Sequence, residues 1–287
     1  MGWTQKRSLI LLTICFSMLW TACGGSGKAT AECPPVDAGR PQFVAQGNEG
    51  TISGSITLSG NYQPAPLDMA ADAACARKNS QAASDEIVAN GGKLQNVFVF
   101  IKDGQTANGK KISDFTYAMP ATEARIDQNG CLYEPHIIGI RAGQKISFTN
   151  SDATVHNINA QPKINEKFNQ TQAGGQAPIV KSFCQPEQAI RVKCNQHGWM
   201  SAWVNVLNHP FFAVSGANGA FTISGVPPGQ YTLVAWHEKL GEQTFNITVP
   251  EKGAATANFT FAANQTATLG KGSLTLGVLE LTLPHAH

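Results

Sequence analysis

The sequence carries little charge, and no part of it concentrates charge of one sign. Asp, Glu, Lys and Arg make up only 14% of its 287 residues, and the formal net charge is +2. It has no basic run interleaved with aromatic residues and no glycine-rich phosphate-binding loop, so nothing indicates a nucleic-acid partner. Beyond the N-terminal segment there is no second long apolar run, so no membrane-spanning helix is predicted there.

Common catalytic signatures are missing as well. The sequence contains no Gly-x-Ser-x-Gly segment of the kind that presents a nucleophilic serine, and no His-Glu-x-x-His segment of the zinc proteases. Glu187 and Glu238 stand alone, so the sequence gives no support for chemistry that needs paired carboxylates. We therefore predict that the protein is not an enzyme.

What the sequence does contain is a compact set of metal ligands. Seven consecutive residues place a thiol, an imidazole and a thioether at spacings of three: Cys194-Asn195-Gln196-His197-Gly198-Trp199-Met200. Upstream, His156 offers a second imidazole after the polar segment 149–155. Two histidines, one cysteine and a weakly bound methionine are the ligand set of a type 1 copper centre, which transfers single electrons. The sequence therefore predicts one copper ion bound by His156, Cys194, His197 and Met200.

The two parts of this motif together resemble the cupredoxins, and the short cysteine loop is similar in length to that of the amicyanins. The resemblance implies a Greek-key β-sandwich and makes the four donors above the ligands of copper. It also implies that Asn157 forms a hydrogen bond near the thiolate and holds the loop, with Asn150 as a second supporting residue. Gly198 stands where the amicyanin loop has proline, so a looser loop is expected. By analogy with the family, His197 on an exposed loop would be the point at which electrons enter and leave.

Other interpretations of the histidines stay open. A zinc ion could instead bind to Cys194, His197 and His209, whose spacing is loosely typical of zinc sites. His136 and His237 have no strong predicted role, although His237 and the glutamate that follows it could join a second, harder metal site. The chain as a whole also resembles a group of bacterial plastocyanin-like proteins, some of them associated with methylamine utilisation; segments 194–200, 209–214 and 235–238 carry this resemblance.

The cysteines predict two disulfides. Cys23 would carry a lipid, as argued below, and Cys194 would bind the metal. One more cysteine lies in the N-terminal signal, which leaves four: Cys33, Cys75, Cys131 and Cys184. We favour Cys75–Cys131, because it would join two loop-like segments, and assign Cys33–Cys184 by elimination. The alternative bridge Cys184–Cys194 would remove the metal site.

The N-terminus is typical of an export signal. Lys6 and Arg7 precede the apolar stretch 8–19, and small residues then lead to Cys23 and a Gly/Ser-rich tether. This pattern resembles the lipobox of bacterial lipoproteins, in which the cysteine becomes the acylated first residue. We therefore predict a lipid-anchored protein of the bacterial cell envelope, facing the periplasm or on the outer membrane. Cleavage and release without a lipid is the alternative.

The remaining pattern predicts strands almost throughout. Alternation of apolar and polar residues, or short apolar runs between turn signals, marks these segments: 51–58, 96–101, 123–126, 137–140, 145–149, 189–192, 202–206, 220–223, 230–236, 245–249 and 257–261. A turn is predicted over 102–104. The Ala-rich segment 67–83 is expected to hold one short helix, and the Gln/Asn/Gly-rich segment 162–178 a long loop.

The last third resembles the carboxypeptidase regulatory-like, transthyretin-like domains. The resemblance is carried by a turn, a strand and the sequence Val226-Pro227-Pro228-Gly229-Gln230-Tyr231-Thr232-Leu233. It implies a second small β-sandwich, and strands 51–58 and 96–101 fit the first strands of the same family. We therefore predict an all-β protein whose copper domain is inserted into this sandwich. Two tandem domains that meet near His209 are the alternative.

These patterns divide the chain into six segments: a signal peptide (1–22), a flexible linker (23–47), the first strands of the regulatory-like sandwich (48–111), the cupredoxin domain (112–208), the rest of the sandwich (209–265), and a C-terminal strand and tail (266–287). The predicted function is transfer of single electrons between redox proteins by a protein held to a membrane by its lipid. Copper storage, delivery or sensing is one alternative. The other is a non-catalytic module that binds carbohydrate or protein through aromatic residues such as Tyr231 and Trp236.

Overall fold

The computed structural model describes residues 1–2, 33–34 and 39–263. Three predictions fall outside these residues: the lipid attached to Cys23, nearly all of the signal peptide, and the C-terminal strand and tail (266–287). Within the described ranges no helix is both long and apolar enough to cross a bilayer.

β-Strands make up nearly all of the regular structure, which confirms the predicted all-β class. The strands of the first third are β1 (Gly50–Ser59), β2 (Ala89–Asn90), β3 (Lys93–Leu94) and β4 (Phe98–Thr106). The middle strands are β5 (Ala124–Asn129), β6 (Leu132–Glu134), β7 (Ile137–Arg141), β8 (Lys145–Asn150), β9 (His156–Gln161), β10 (Phe168–Gln172), β11 (Ile179–Ser182), β12 (Glu187–Lys193) and β13 (Ser201–Leu207). The last strands are β14 (Phe212–Val214), β15 (Ala220–Val226), β16 (Gly229–His237), β17 (Gly241–Val249), β18 (Ala254–Thr256) and β19 (Phe259–Ala262).

Helical structure is confined to two short pieces in the described residues. The helix α1 (Ala73–Lys78) lies within the Ala-rich segment where a short helix was predicted, and a 3-10 turn covers Ile112–Asp114. Asp72 caps α1, because its side chain accepts hydrogen bonds from the backbone N–H groups of Ala74 and Cys75.

The first and last strands of the chain form one sandwich. β1 pairs with β15 on one edge, with β18 and β19 on the other, and with β3 near its end. The facing sheet has the order β14-β4-β16-β17. Leucine, isoleucine, valine and phenylalanine side chains from both sheets meet in a shared buried core. Burial of these apolar side chains is the main source of stability for such a sandwich.

The middle strands form a second sandwich. One sheet has the order β10-β9-β12-β13-β7 and the other β11-β8-β5-β6. Their facing apolar side chains form a separate core. β1 and β4 pair with no strand from β5 to β13 in the described residues. These partners are the ones expected if the middle segment is inserted into the first sandwich, which stays our interpretation.

The two sandwiches pack through strands that are buried on both faces. In β4, Val99 and Ile101 point into the first core, whereas Phe98 and Phe100 belong to a third cluster that also includes Leu207. Successive side chains of a strand point to opposite faces, so a continuous apolar run serves two cores at once.

One glycine and two tryptophans allow close packing where the two sandwiches meet. At Gly139 in β7, a Cβ atom would lie 2.5 Å from the ring of Phe98, so only glycine allows this close approach. The rings of Trp203 and Trp236 meet edge to face with centroids 5.7 Å apart.

Packing divides the chain differently from the predicted boundaries at two places. Met69, Cys75 and Ala82, predicted to belong to the first sandwich, are buried in the core of the middle strands. Ile112 and Tyr117, predicted to belong to the copper domain, are buried in the core of the first sandwich. Boundaries drawn from changes in local composition could not anticipate which core these connecting segments would contact.

Three local predictions are wrong. The predicted turn over 102–104 is a β-bulge inside β4: the register slips opposite Leu233, and Gly104 has φ +139°. The predicted loop over 162–178 contains the polar edge strand β10. The predicted flexible linker is partly anchored, because Phe43 N–H donates to the Thr116 carbonyl at 2.7 Å and its ring packs on the first core.

Candidate metal centre

Three strands of one sheet bring the predicted ligands to the same end. β9 begins at His156, β12 ends one residue before Cys194, and β13 begins one residue after Met200. In the sheet, β12 lies between β9 and β13 and is antiparallel to both. The start of one strand lies beside the end of its antiparallel neighbour, so all these residues lie at one edge of the sandwich.

The loop from Cys194 to Met200 is closed by its own backbone. Cys194 N–H donates to the carbonyl of Met200 at 3.2 Å, and Met200 N–H donates to the carbonyl of His197 at 3.0 Å. Asn195 N–H donates to Oδ1 of Asn157 at 2.8 Å, so β9 also holds the loop. The contact expected of Asn157 is therefore present.

Asn150 supports the loop that precedes His156. Its Nδ2 atom donates to the carbonyls of Thr154 at 3.0 Å and Gln172 at 2.9 Å. Its Oδ1 atom accepts a hydrogen bond from Asp152 N–H at 3.0 Å. These contacts fix the turn between β8 and β9, and with it the position at which His156 begins its strand.

The three strong donors form one buried group. The ligand atoms of His156, Cys194 and His197 all lie within 4.8 Å of one another. Nδ1 of His197 lies 3.0 Å from Nδ1 of His156 and 3.7 Å from Sγ of Cys194. Met200, at the end of the same loop, is fully buried.

These distances fit a metal ion with nitrogen and sulfur ligands. Bonds of about 2.0 Å to nitrogen and about 2.3 Å to sulfur, at trigonal angles, separate the two donors by roughly 3.7 Å. This is the distance of 3.7 Å between Cys194 Sγ and His197 Nδ1. Two nitrogen donors would lie about 3.5 Å apart, slightly farther than the 3.0 Å between the Nδ1 atoms of His156 and His197. A small outward shift of one ring would therefore admit an ion, and this donor set suits copper.

The electrostatics of the site favour a thiolate. Burial opposes ionisation of Cys194, but a hydrogen bond from His156 and three backbone N–H groups outweigh it and lower the pKa of the thiol to about 6. Burial also opposes the charged form of His156 and by itself would lower the pKa of that residue, but the side chains of Asp152 and Cys194 raise it to about 9. The site therefore supplies the ionised sulfur that a soft metal ion requires.

Two aspartates contact the outer edges of the histidine rings. Oδ2 of Asp152 lies 2.8 Å from Nε2 of His156, and Oδ2 of Asp72 lies 3.2 Å from Nε2 of His197. A hydrogen bond from Thr154 is the largest influence on the carboxyl of Asp72, and its pKa falls to about 2. Burial opposes ionisation of Asp152, but His156 and its other donors hold its pKa well below the usual range. Neither aspartate was predicted from the sequence.

The two aspartates differ in whether the sequence gives any sign of their contacts with the histidines. Asp152 lies four residues before His156, within the polar segment 149–155, so its position in the sequence could have suggested a contact with this histidine. Asp72 lies 125 residues from His197 along the chain, and nothing local connects them.

The cap, which we define as residues 67–83, covers His197. The imidazole is only 5% exposed, because Asp72 and Cys75 of the cap contact its Nε2 atom at 3.2 and 3.8 Å. The ring of Trp199 lies on another side, with centroids 5.2 Å apart. The prediction that His197 is exposed is therefore wrong, since a loop motif indicates a candidate ligand but not which segments pack over it.

Both predicted disulfides are present. Cys75–Cys131 joins the cap to the hairpin of β5 and β6, and Cys33–Cys184 joins the N-terminal segment to the connection between β11 and β12. Cys194 is the free cysteine of the described residues. The alternative Cys184–Cys194 bridge is therefore absent, and a thiol is left for a metal.

The other histidines lie outside this group. No set of close metal donors in the described part of the chain includes His209 or His237, so neither the zinc alternative through His209 nor a second metal site at His237 has support there. His136 is buried and paired with Asp85 at 3.0 Å and with Glu238. Burial is the largest influence on His209 and His237, and it lowers the pKa of each to about 4.

The last strands of the chain match a known domain family. Residues 201–262 match the carboxypeptidase regulatory-like domain. This confirms the resemblance drawn from the Val-Pro-Pro-Gly segment, although the match begins in β13 and covers less than half of the chain. No curated protein matches the chain in sequence.

Solved structures similar to parts of the chain include cupredoxins. A purple cupredoxin from Nitrosopumilus maritimus is 22% identical and covers 30% of this chain and 100% of its own, with a TM-score of 0.26. Amicyanin from Paracoccus versutus is 18% identical and covers 38% and 97%, with a TM-score of 0.27. A copper-containing nitrite reductase from Thermus scotoductus is 17% identical and covers 32% of this chain, with a TM-score of 0.29; the match spans only 24% of that enzyme. These TM-scores are too low to carry an argument about function.

Proposed function

We propose that the protein binds one copper ion in a type 1 site and carries single electrons between redox partners. The observation that carries this proposal is the buried group of one thiolate-forming cysteine and two imidazoles, with Met200 at the end of the same short loop. His156, Cys194 and His197 would hold the ion, and Met200 would be the weak axial ligand. When bound, copper would supply a one-electron couple that suits such a donor set.

The residues around the site would keep the ligands fixed during electron transfer. Three strand ends and two backbone hydrogen bonds hold the cysteine loop, and Asn157 ties it to β9. The cap excludes water from His197. A rigid, dry site needs little rearrangement when the charge of the bound ion changes, which favours rapid outer-sphere transfer. We propose a carrier rather than an enzyme, because this donor set suits a metal that cycles between two oxidation states with its ligands unchanged.

The test is the visible absorption of the purified, metal-free protein after one equivalent of Cu(II) is added. We expect an intense band at about 600 nm, the usual mark of a copper–thiolate bond in such a site. Cys194→Ala should abolish the band. His209→Gln is the matched control, because it alters a half-buried histidine outside the donor group and should keep the colour. A colourless wild-type complex, or a blue Cys194→Ala protein, would refute the ligand assignment.

A second candidate function is copper storage. The covered position of His197 supports it, because a carrier commonly presents a ligand edge to its partner, whereas a store benefits from a closed site. The rate of electron self-exchange between oxidised and reduced protein separates the two. Rapid exchange supports the carrier, and slow exchange together with tight retention of the metal supports the store.

The third interpretation, a module that binds carbohydrate or protein, loses its main support. Tyr231 is buried, and its hydroxyl donates to the carbonyl of Pro227 at 2.8 Å. Trp236 is half-buried against Trp203. Neither aromatic ring is free to stack on a sugar.

We also propose that the protein is exported and anchored to a bacterial membrane by a lipid on Cys23. The support is the sequence of the first 27 residues, and two disulfides are typical of an oxidising compartment. Expression of the full chain in a bacterium should place it in the membrane fraction, whereas Cys23→Ser should release it. Equal fractionation of both forms would reject the lipid anchor.

A further inference from the structure

Two carboxylates act on the predicted histidine ligands from the side opposite the metal. Asp152 contacts Nε2 of His156 at 2.8 Å, and Asp72 contacts Nε2 of His197 at 3.2 Å. We infer that both aspartates are positioning residues, which orient the two imidazoles and stabilise the oxidised over the reduced metal. This inference rests on the proposed copper site.

Asp152 is fixed in place by hydrogen bonds. Its Oδ1 atom accepts from Gly130 N–H and from the ammonium of Lys78, both at 2.8 Å. Its Oδ2 atom accepts from Cys131 N–H at 2.8 Å in addition to His156. The side chain is only 2% exposed. A buried carboxylate with this many donors stays ionised and cannot rotate away.

Asp72 is held in a similar way at the start of the cap. Oδ1 accepts from the backbone N–H groups of Ala74 and Cys75 at 2.8 and 3.2 Å, which caps α1. Oδ2 accepts from the hydroxyl of Thr154 at 2.7 Å and faces His197. The oxygen that contacts the histidine is therefore oriented both by the cap and by the loop before β9.

These contacts determine the tautomer of each ring. An ionised carboxylate can only accept a hydrogen bond, so the Nε2 atoms of His156 and His197 must carry hydrogen. In a neutral ring the lone pair is then on Nδ1. The two Nδ1 atoms face each other across 3.0 Å, on the side where Cys194 lies. Each carboxylate thus selects the tautomer that can bind a metal at the centre of the donor group.

The same contacts place negative charge close to the metal position. A nearby negative charge stabilises the doubly charged ion more than the singly charged one. A carboxylate partner also raises the basicity of the imidazole it binds. Both effects favour Cu(II) over Cu(I), so the two aspartates should lower the reduction potential of the centre.

The experiment compares the copper-loaded full chain with Asp72→Asn and Asp152→Asn. Asparagine keeps the size of the side chain and removes its charge. Asp127→Asn is the matched control, because Asp127 accepts hydrogen bonds from Thr149 and Ser151 in the same region but contacts no histidine. Reduction potentials are measured by optical titration of the blue band, and Cu(II) and Cu(I) affinities by competition with chelators.

Each test variant should lose 10- to 100-fold in Cu(II) affinity, roughly the cost of removing such a partner. Cu(I) affinity should fall less, and every tenfold difference between the two raises the potential by about 59 mV. The control should leave the potential at the wild-type value. Test variants whose potentials match that of the control would overturn the tuning role.

A second readout needs no copper, and it separates this inference from the proposed function. Long-range ¹H–¹⁵N NMR of the metal-free protein reports which ring nitrogen carries hydrogen. We expect protected Nε2–H signals for His156 and His197 in the wild type. The His197 signal should be lost or exchange faster in Asp72→Asn, the variant at the more exposed aspartate and the one more able to fold. Unchanged signals would refute the positioning role even if the protein is blue. Absence of a blue band in the wild type would refute the copper site alone.

Discussion

A buried ion pair at the joint between the two sandwiches should make stability depend on pH. His136 precedes β7 and pairs with Asp85 at 3.0 Å and with Glu238, which follows β16. Burial alone would lower the pKa of His136, but hydrogen bonds to the two carboxylates raise it from 6.5 to about 9. The folded protein therefore holds a proton that the unfolded chain releases above pH 6.5.

The size and the sign of the pH effect on stability follow from the difference between the folded and unfolded pKa values of His136. A rise in pKa from 6.5 to about 9 corresponds to about 3 kcal/mol of stability, at 1.36 kcal/mol per pH unit. Because the folded pKa of His136 is raised, this contribution is fully present below pH 6.5 and is lost as the pH rises to about 9. The free energy of unfolding should fall by this amount across that range, other groups being equal.

The measurement is urea unfolding of the metal-free protein at pH 6 and pH 9, repeated with His136→Gln. The loss of stability between the two pH values should be about 3 kcal/mol smaller in the variant. His156 and Cys194 also titrate in this range, but they do so in both proteins and cancel in the comparison. His209→Gln is the control: because the pKa of His209 is lowered from 6.5 to about 4, its removal should enlarge the loss of stability by less than about 1 kcal/mol rather than reduce it. Equal pH dependence of the wild type and His136→Gln would refute the reasoning.

Two shorter predictions concern glycine and cysteine. Gly198→Ala should stabilise the protein by about 0.4–1 kcal/mol in thermal unfolding, because a Cβ there meets nothing within 4 Å and the unfolded chain loses freedom. Gly219→Ala should destabilise it, since φ is +71° and the Cβ would lie 2.4 Å from the carbonyl oxygen of Ile56. A Gly219→Ala protein more stable than Gly198→Ala would contradict the geometry. Thiol labelling of the unfolded, metal-free mature protein should find one free cysteine, Cys194. Labelling that finds none would refute the proposed metal site.

Local sequence could predict those features that depend on neighbouring residues. The spacing from Cys194 to Met200 places its donors on one loop whatever surrounds it, and alternation along 51–58 is visible without knowing its partner strand. The same reasoning failed over 102–104, where turn-forming residues serve a bulge inside a strand. Short polar segments have similar composition in turns, bulges and edge strands, so composition could not distinguish them.

Contacts between distant segments could not be predicted in the same way. Thr154 and Asp72 are 82 residues apart, yet their hydrogen bond helps to hold the cap beside the site. The pairing Cys75–Cys131 was predicted as a link between loops, but the position of Cys75 Sγ 3.8 Å from Nε2 of the proposed ligand His197 was not. The burial of this histidine depends on how the cap packs, which no motif in either segment encodes.

A donor group with no exposed member places different demands on electron transfer and on metal exchange. In the proposed site, copper could leave only if the cap moved, and the cap is held by Cys75–Cys131 and by the contact between Asp72 and His197. α1 has six residues and is too short to be stable alone, so it would unfold once those contacts broke. An electron needs no such opening, because it can cross the packed side chains of the cap. The closed site therefore disfavours delivery and sensing, which require exchange of the metal, and leaves electron transfer and storage as the functions that its architecture supports.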